Sequence, residues 1–199
     1  MASGRVLEKL RQLYAKMDAE VKRWAALQDR GMSLLRTVTN IISRIPALED
    51  PGSYGVLAAL PNLPTLLLSK QLQALDELIV QLQDCLDDAQ AVTDSMARHA
   101  QQAQRLVQHD RSLTPAVCAV VAGPVPSITQ CLRGLAEISR MHADELLLKS
   151  ALVFEVRYDS SEADMQQVAA LYAAQLHIDG GHVRDLLHVV AATEERRRL

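Results

Sequence analysis

The sequence predicts an all-α protein, an elongated helical bundle built on a long antiparallel helical hairpin with shorter C-terminal helices. Three observations lead to this fold class. Half of the 199 residues are hydrophobic, but one Phe and one Trp are present, and the abundant Leu and Ala are strong helix formers. Apolar residues recur at three- and four-residue spacing over two very long segments. All seven prolines fall within residues 46–64 and 110–127, which separate the periodic segments.

The first periodic segment predicts a helix from about residue 5 to residue 45. Its apolar residues form the single stripe of an amphipathic helix. Gly31 interrupts the stripe at a cost of about 1 kcal/mol relative to Ala, so we expect a kink there. Pro46 disfavours helix in the residue before it and predicts the end of this helix. The stripe consists of Val6, Leu10, Leu13, Met17, Val21, Trp24, Leu27, Leu35, Val38, Ile42 and Ile45.

The next segment, residues 46–64, contains four prolines and predicts a connector with one short helical turn at 54–60. Pro64 fits the first turn of a following helix, where its missing N–H is not needed, and Asn62 or Thr65 can cap that helix.

The second long helix is predicted from Pro64 to Gln108, with Gln, Asp, Glu and Arg on its outer face. Two long helices that each carry one apolar stripe bury those stripes by pairing antiparallel, in the manner of a coiled coil. The stripe of the second helix consists of Leu68, Leu72, Leu75, Ile79, Leu82, Leu86, Ala89, Val92, Met96, His99, Ala103 and Leu106.

The remaining sequence predicts three shorter helices after a loop at 110–127. The third helix spans about 126–157, and a fourth begins at Ser161, where Ser-x-x-Asp resembles a capping box. The residues Asp179-Gly180-Gly181 predict a turn, and a last helix follows at about 182–197. Since each apolar stripe needs the others for burial, residues 1–199 are predicted to form a single helical domain.

The motifs of enzymes are missing from the sequence. There is no G-x-x-x-x-G-K-[ST] for phosphate binding and no H-E-x-x-H for zinc. We therefore predict no catalytic, cofactor-binding or metal-ligating residue, and a function that is not enzymatic. Three groups of polar residues are considered as metal or nucleic-acid sites. The histidines and aspartates are interpreted as ordinary surface residues, and the arginines as cations that stabilise the dipole at a helix C-terminus. The three groups are His177, His182 and His188; Asp84, Asp87 and Asp88; and Arg196, Arg197 and Arg198.

Charge and cysteine content indicate the environment of the protein. The net charge of −3 does not attract nucleic acid, and no apolar run approaches the ~20 residues that cross a bilayer. Three scattered cysteines fit reduced thiols in the cytoplasm and nucleus; Cys85 is predicted to be a core residue. Trp24 fits the core better than an interface, because it lies on the side of Val21 and Leu27.

A partner-binding surface is expected on the C-terminal helices, where aliphatic faces lie within 161–176 and 182–197. Exposed together, such side chains would form a contiguous apolar patch of the kind that marks a partner site. The predicted interface residues are Leu171, Val183, Leu186, Leu187 and Val190.

Several short stretches, in the same order along some 180 residues, resemble one known family. The chain resembles the AIRIM family of AAA+ ATPase-interacting ribosome maturation factors. One stretch, ADELLLKSAL at 143–152, departs from that family and is similar to CINP, a cyclin-dependent-kinase-interacting protein related to it. The stretches that carry the resemblance are Trp24, LPNL at 60–63, Lys70-Gln71-Leu72, LDELIVQLQD at 75–84, VTDSMARHAQQA at 92–103, Pro126-Ser127-Ile128 and VRDLLHVV at 183–190.

The resemblance implies a non-enzymatic adaptor subunit without cofactors. Its expected partners are a hexameric AAA+ ATPase of the Afg type and a CINP-like helical sister subunit. The resemblance also implies that such a complex recycles factors from maturing large ribosomal subunits, with chromatin-bound replication proteins as a further expected client class. Three alternatives stay open: a CINP-like sister subunit of the same complex, a self-associating coiled-coil tethering protein, and a helical-bundle enzyme with a carboxylate or histidine metal site.

Overall fold

The computed structural model describes residues 2–110, 112–121 and 126–195. These three ranges contain α-helices and one 3₁₀ helix and no β-strand, which confirms the predicted all-α class. The helices are α1 (Ala2–Ile42), α2 (Ile45–Glu49), the 3₁₀ helix Pro51–Ala59, α3 (Leu63–Gln108), α4 (Pro115–Ala119), α5 (Ile128–Phe154), α6 (Glu162–Ala174) and α7 (Gly180–Glu195).

The two long helices, α1 and α3, pack against each other and run in opposite directions. Glu20 of α1 accepts a hydrogen bond of 2.7 Å from the Ser95 hydroxyl, whereas Arg30, farther along α1, pairs with Asp88, an earlier residue of α3. The stripe residues face inward: most are buried and the others are half-buried. Trp24 and Cys85 are core residues, as predicted.

The chain divides into two compact units, each assembled from separate segments. Unit 1 contains Met1–Ala25, Ala89–Leu146 and Leu176–Leu199, and unit 2 contains Ala26–Asp88 and Leu147–Gln175. The helices α1, α3 and α5 each contribute one part to unit 1 and another to unit 2. These helices continue from one unit into the other. That residues 1–199 fold cooperatively as a single domain stays a prediction.

Gly31 has a packing role that the sequence did not reveal. The bent helix α1 remains helical through this residue. A Cβ atom at position 31 would collide with the hydroxyl and ring of Tyr172, a buried residue of α6. Glycine is therefore needed because another side chain approaches the backbone closely, which outweighs its helix penalty.

The connector between α1 and α3 contains more helix than predicted. Pro46 does not end α1, which stops at Ile42; it lies in the first turn of α2, where its missing N–H leaves no bond unmade. The Asp50 carboxylate then accepts a hydrogen bond from the Gly52 N–H and begins the 3₁₀ helix. Gly55, at φ 49°, kinks that helix, a conformation that favours glycine.

Side-chain caps define the starts of the C-terminal helices. Ser161 and Asp164 form the predicted capping box at α6, and Ser127 with Gln130 forms an equivalent pair at α5. The sequence missed α4, a single turn capped by the Thr114 hydroxyl within the predicted loop.

Candidate partner-binding surfaces

Helix α7 begins two residues earlier than predicted, because Asp179 caps it. The Asp179 Oδ1 atom accepts hydrogen bonds of 2.9 Å from the backbone N–H groups of His182 and Gly181. The bond from His182, with that from Gly181, lowers the pKa of the Asp179 carboxyl. The two glycines of the predicted turn thus form the first turn of α7.

The predicted interface residues lie in both units and differ in exposure. In unit 1, Val183 and Val190 are buried, while Leu186 and Leu187 are half-buried. Leu171, on α6 in unit 2, is also half-buried. Two of the five therefore pack into the fold of the isolated chain. Their contact with a partner stays a prediction, and a charge placed at Val190 would disturb the core as well.

A groove of about 760 Å³ runs between α1 and α7 in unit 1. Leu187 and Val190, from the predicted set, contribute apolar lining. Its other side chains include three carboxylates and two arginines, so charges of both signs line the groove. The charged lining residues are Glu8, Arg11, Asp18, Arg184 and Asp185.

The inner wall of this groove is fixed by a buried tyrosine. The Tyr14 hydroxyl donates a hydrogen bond of 2.9 Å to the Cys131 carbonyl oxygen, and burial raises the pKa of that hydroxyl. Gly134, one turn along α5, leaves room for it. Burial also raises the pKa of the Cys131 thiol to about 11, so this cysteine stays protonated and is a poor nucleophile.

A second groove in unit 1, of about 700 Å³, lies between the start of α1 and the end of α3. It is more basic than the first. Arg5 and Lys9 are one turn apart on α1, Arg105 lies in the last turn of α3, and His109 directly follows that helix. Arg105 also stabilises the negative end of the dipole of α3, which accounts for this cation without a ligand.

In unit 1, helix α5 buries a histidine and a carboxylate that the sequence analysis passed over. The His142 ring lies edge-on to Trp24, with 5.2 Å between ring centroids, and its Nδ1 lies 2.8 Å from the Ile138 carbonyl oxygen. Burial lowers the pKa of His142, against the effects of that carbonyl and of Glu145. Glu145 is fully buried and accepts a hydrogen bond of 3.0 Å from the His177 backbone N–H.

In unit 2, the same helix buries Lys149. Its Nζ atom donates a hydrogen bond of 2.7 Å to the Tyr172 carbonyl oxygen and lies 3.8 Å from the centroid of the Tyr172 ring. Gln28 of α1 donates to the same oxygen at 3.1 Å. Tyr172 is in the last turn of α6, where carbonyl groups lack partners within the helix. A cation at this end also interacts favourably with the helix dipole.

A sequence signal for these residues did exist. Glu145 and Lys149 are four residues apart, and Lys149 occupies a position of the predicted apolar stripe of α5. A charged residue at a stripe position is either exposed at a boundary or buried with partners. Spacing alone does not choose between the two, because the backbone groups that these residues bond lie 23 and 32 residues away.

The groups considered for metal chemistry do not come together. Among the residues that the structure describes, no cluster of His, Cys, Asp and Glu could hold a metal ion. Asp84, Asp87 and Asp88 are exposed on α3, and His182 pairs with Glu137 at 3.2 Å. Arg196, Arg197 and Arg198 lie outside the described residues. In the described part of the chain, every helix is too short or too polar to cross a membrane.

An exposed apolar surface lies in unit 2, in the predicted connector and the start of α3. We call residues 51–69 the Pro51–Ser69 surface. Its 19 residues include no Asp, Glu, Lys or Arg, and Tyr54 is its one buried residue. The exposed aliphatic side chains, which range from 36% for Leu67 to 92% for Val56, are those of Val56, Leu57, Leu60, Leu66 and Leu67.

Comparison with known families places the whole helical chain in one of them. The family model described as ribosome biogenesis protein C1orf109-like matches residues 4–194. The chain belongs to this family. A search among curated proteins gave no match. Family membership supports a role in ribosome maturation. The described residues of the chain lie in helices, turns and connectors.

Proposed function

We propose that this member of the C1orf109-like family is a non-enzymatic adaptor subunit of an AAA+ ATPase complex that matures the large ribosomal subunit. The observation that carries the proposal is the family match over residues 4–194. The order of short stretches that resembles AIRIM adds the Afg-type ATPase and the recycling of pre-ribosomal factors. Chromatin-bound replication proteins are a second client class, and the site of action is cytoplasmic and nuclear.

The chemistry of the chain supports an adaptor more than an enzyme. Its sequence has no G-x-x-x-x-G-K-[ST] motif, so the energy for extracting a client protein would come from the partner ATPase. Its buried ionisable groups contact backbone atoms of the same chain: Glu145 meets the His177 N–H, and Lys149 meets the Tyr172 carbonyl. Groups used in this way hold the fold together.

A second candidate is the CINP-like sister subunit of the same complex. The specific observation is the stretch ADELLLKSAL, in which Glu145 and Lys149 are buried. The self-associating tether has less support. Its dimerisation would need the stripes of α1 and α3, and within each unit these stripes are already turned inward.

Reconstitution tests the proposal. The full-length chain is co-expressed with the Afg-type ATPase and the CINP-like subunit, purified through a tag on the ATPase and sized by light scattering. We expect the chain in a stoichiometric complex, and depletion from cells should leave shuttling factors on cytoplasmic pre-60S particles. Self-association without the ATPase would support the tether instead.

The enzyme alternative has a separate test. Elemental analysis of the purified chain should find no stoichiometric metal, and the chain alone should hydrolyse no ATP. A bound ion in a one-to-one ratio would contradict the adaptor assignment.

A further inference from the structure

The Pro51–Ser69 surface combines exposed aliphatic side chains with an absence of charged residues. Monomeric proteins rarely expose a contiguous apolar patch larger than ~300–600 Å², and patches of that size are often functional. Five aliphatic side chains of this surface are at least a third exposed, and they come from one continuous segment of unit 2. No residue before Leu75 in α3 is buried, although residues 63–74, all described, are rich in Leu.

We propose that the Pro51–Ser69 surface binds the aliphatic, uncharged face of an amphipathic helix of a partner protein. Charge complementarity supports this occupant. A charged partner group buried against 19 residues without any charge would have no counter-ion and would bind unfavourably. The partner face is therefore uncharged at its centre, and a basic residue at its rim can meet Glu49 and Asp50, which precede the surface.

The backbone of the surface points to a helix rather than a strand as the partner element. Backbone N–H groups of Ser53, Leu60 and Leu66 donate to carbonyl oxygens three or four residues earlier. Since these groups bond within helical turns, the segment does not offer the free edge to which a β-strand adds. Side chains remain available, and they are what an amphipathic helix packs against.

The charges around the surface disfavour a membrane as the occupant. Segments that bind lipid surfaces combine apolar side chains with Lys and Arg that meet anionic headgroups. Here Glu49 and Asp50 immediately precede the surface in the sequence, and Lys70 immediately follows it. An anionic membrane would repel the carboxylates of Glu49 and Asp50.

The two binding probes are the Afg-type ATPase and the CINP-like subunit. This choice of partners rests on the proposed function. Affinity of the full-length chain for each purified probe is measured with Val56→Glu, Leu60→Glu and, as matched control, Leu147→Glu. Leu147 is exposed on α5 in the same unit. We expect the first two variants to lose at least ~30-fold in affinity and the control to stay within threefold. Equal losses in all three, or none, would overturn the proposal.

A photo-cross-linking amino acid at position 57 separates failure of this inference from failure of the proposed function. If the wild-type chain binds neither probe, the proposed function fails, and the cross-link formed in cells decides about the surface. A cross-linked peptide with an uncharged aliphatic helical face, from another protein, supports it. Cross-links to a second copy, to lipid or to nothing overturn it, as does flotation with phosphatidylserine vesicles that Val56→Glu abolishes.

Discussion

The two units bury ionisable residues of opposite sign, and each of these residues forms a hydrogen bond with a backbone group. In unit 1 the Glu145 carboxylate accepts from the His177 N–H, just before α7. In unit 2 the Lys149 ammonium donates to the Tyr172 carbonyl oxygen, in the last turn of α6. Both charged residues come from one helix, α5, and both backbone partners lie at the end of α6 or just after it.

The two units also share a tyrosine–glycine contact. Tyr14 approaches Gly134 in unit 1, and Tyr172 approaches Gly31 in unit 2. The difference between them lies in the polar partner: the Tyr14 hydroxyl donates to a carbonyl group, whereas the Tyr172 ring packs beneath a cation. Because Lys149 both donates a hydrogen bond and lies over the Tyr172 ring, we expect its truncation to cause the largest single loss of stability in either unit.

The largest effect is expected for Lys149→Ala. This change removes a donor to the Tyr172 carbonyl and the cation above its ring, and it leaves a cavity, so the free energy of unfolding should fall by about 3 kcal/mol. Urea unfolding measures the total, and hydrogen exchange resolved by segment should show the greater loss of protection in residues 147–175.

A matched lysine serves as the control. Lys70 is exposed on α3, and Lys70→Ala should change stability by no more than about 0.5 kcal/mol. Similar losses for both variants would mean that the contacts of Lys149 do not stabilise unit 2.

Next in size are the two glycines. Gly31→Ala and Gly134→Ala each push a buried tyrosine out of place, at a cost of about 1–3 kcal/mol, partly offset by the ~1 kcal/mol better helix propensity of Ala. Thermal unfolding by circular dichroism measures both. Pairing Gly31→Ala with Tyr172→Phe should restore part of the loss, because the hydroxyl oxygen is the nearest of the colliding atoms.

Gly4 provides the reference, since nothing lies within 4 Å of a Cβ atom placed there. Gly4→Ala should leave Tm unchanged or raise it slightly. A fall in Tm as large as that of Gly31→Ala would show that helix backbone effects, not tyrosine packing, set the cost.

The capping box of α6 gives a smaller effect. Ser161→Ala removes the hydroxyl that accepts from the Asp164 N–H at 3.1 Å, which should cost about 1 kcal/mol. Ser161→Asp keeps an acceptor at the same position and should recover most of it. Equal stability of the Ala variant and the wild type would argue that α6 is held by its buried face alone.

The smallest effect near neutrality concerns pH. Burial lowers the pKa of His142, so below its ordinary value of about 6.5 the unfolded chain binds more protons than the folded one. The free energy of unfolding should therefore fall as pH decreases from about 7 toward 5. Urea midpoints at several pH values measure the slope.

His142→Phe keeps an aromatic ring beside Trp24 and should flatten this pH dependence. His99, whose pKa is also lowered by burial, provides the comparison, and His99→Gln should remove a smaller share because His99 is only half-buried. A slope unchanged by His142→Phe would mean that other groups cause the dependence.

Helix positions could be read from the sequence because stripes and prolines are local signals. The α3 helix was predicted within one residue, and the Ser161 capping box was found from spacing. Contacts between distant segments could not be read in this way. The close approach of Tyr172 to Gly31 and the backbone partners of Glu145 and Lys149 depend on tertiary packing.

The candidate surfaces were predicted less well than the helices, for a related reason. A stripe shows which residues share a face, but not whether the chain itself covers that face. Val183 and Val190 are covered in unit 1, whereas the Pro51–Ser69 surface, most of which was interpreted as a connector because of its prolines, is exposed. Proline marks the end of a regular helix and says nothing about binding.

Exposure of the Pro51–Ser69 surface also affects how long the chain survives when it is alone. Trypsin has no Lys or Arg to cut between Arg44 and Lys70, while thermolysin, which cuts beside aliphatic residues, has several exposed there. Chaperones and quality-control proteases likewise recognise exposed leucines, and they act continuously on incompletely covered proteins. We therefore expect an orphaned copy to be degraded, so that the abundance of this chain in a cell follows the abundance of the protein that covers it.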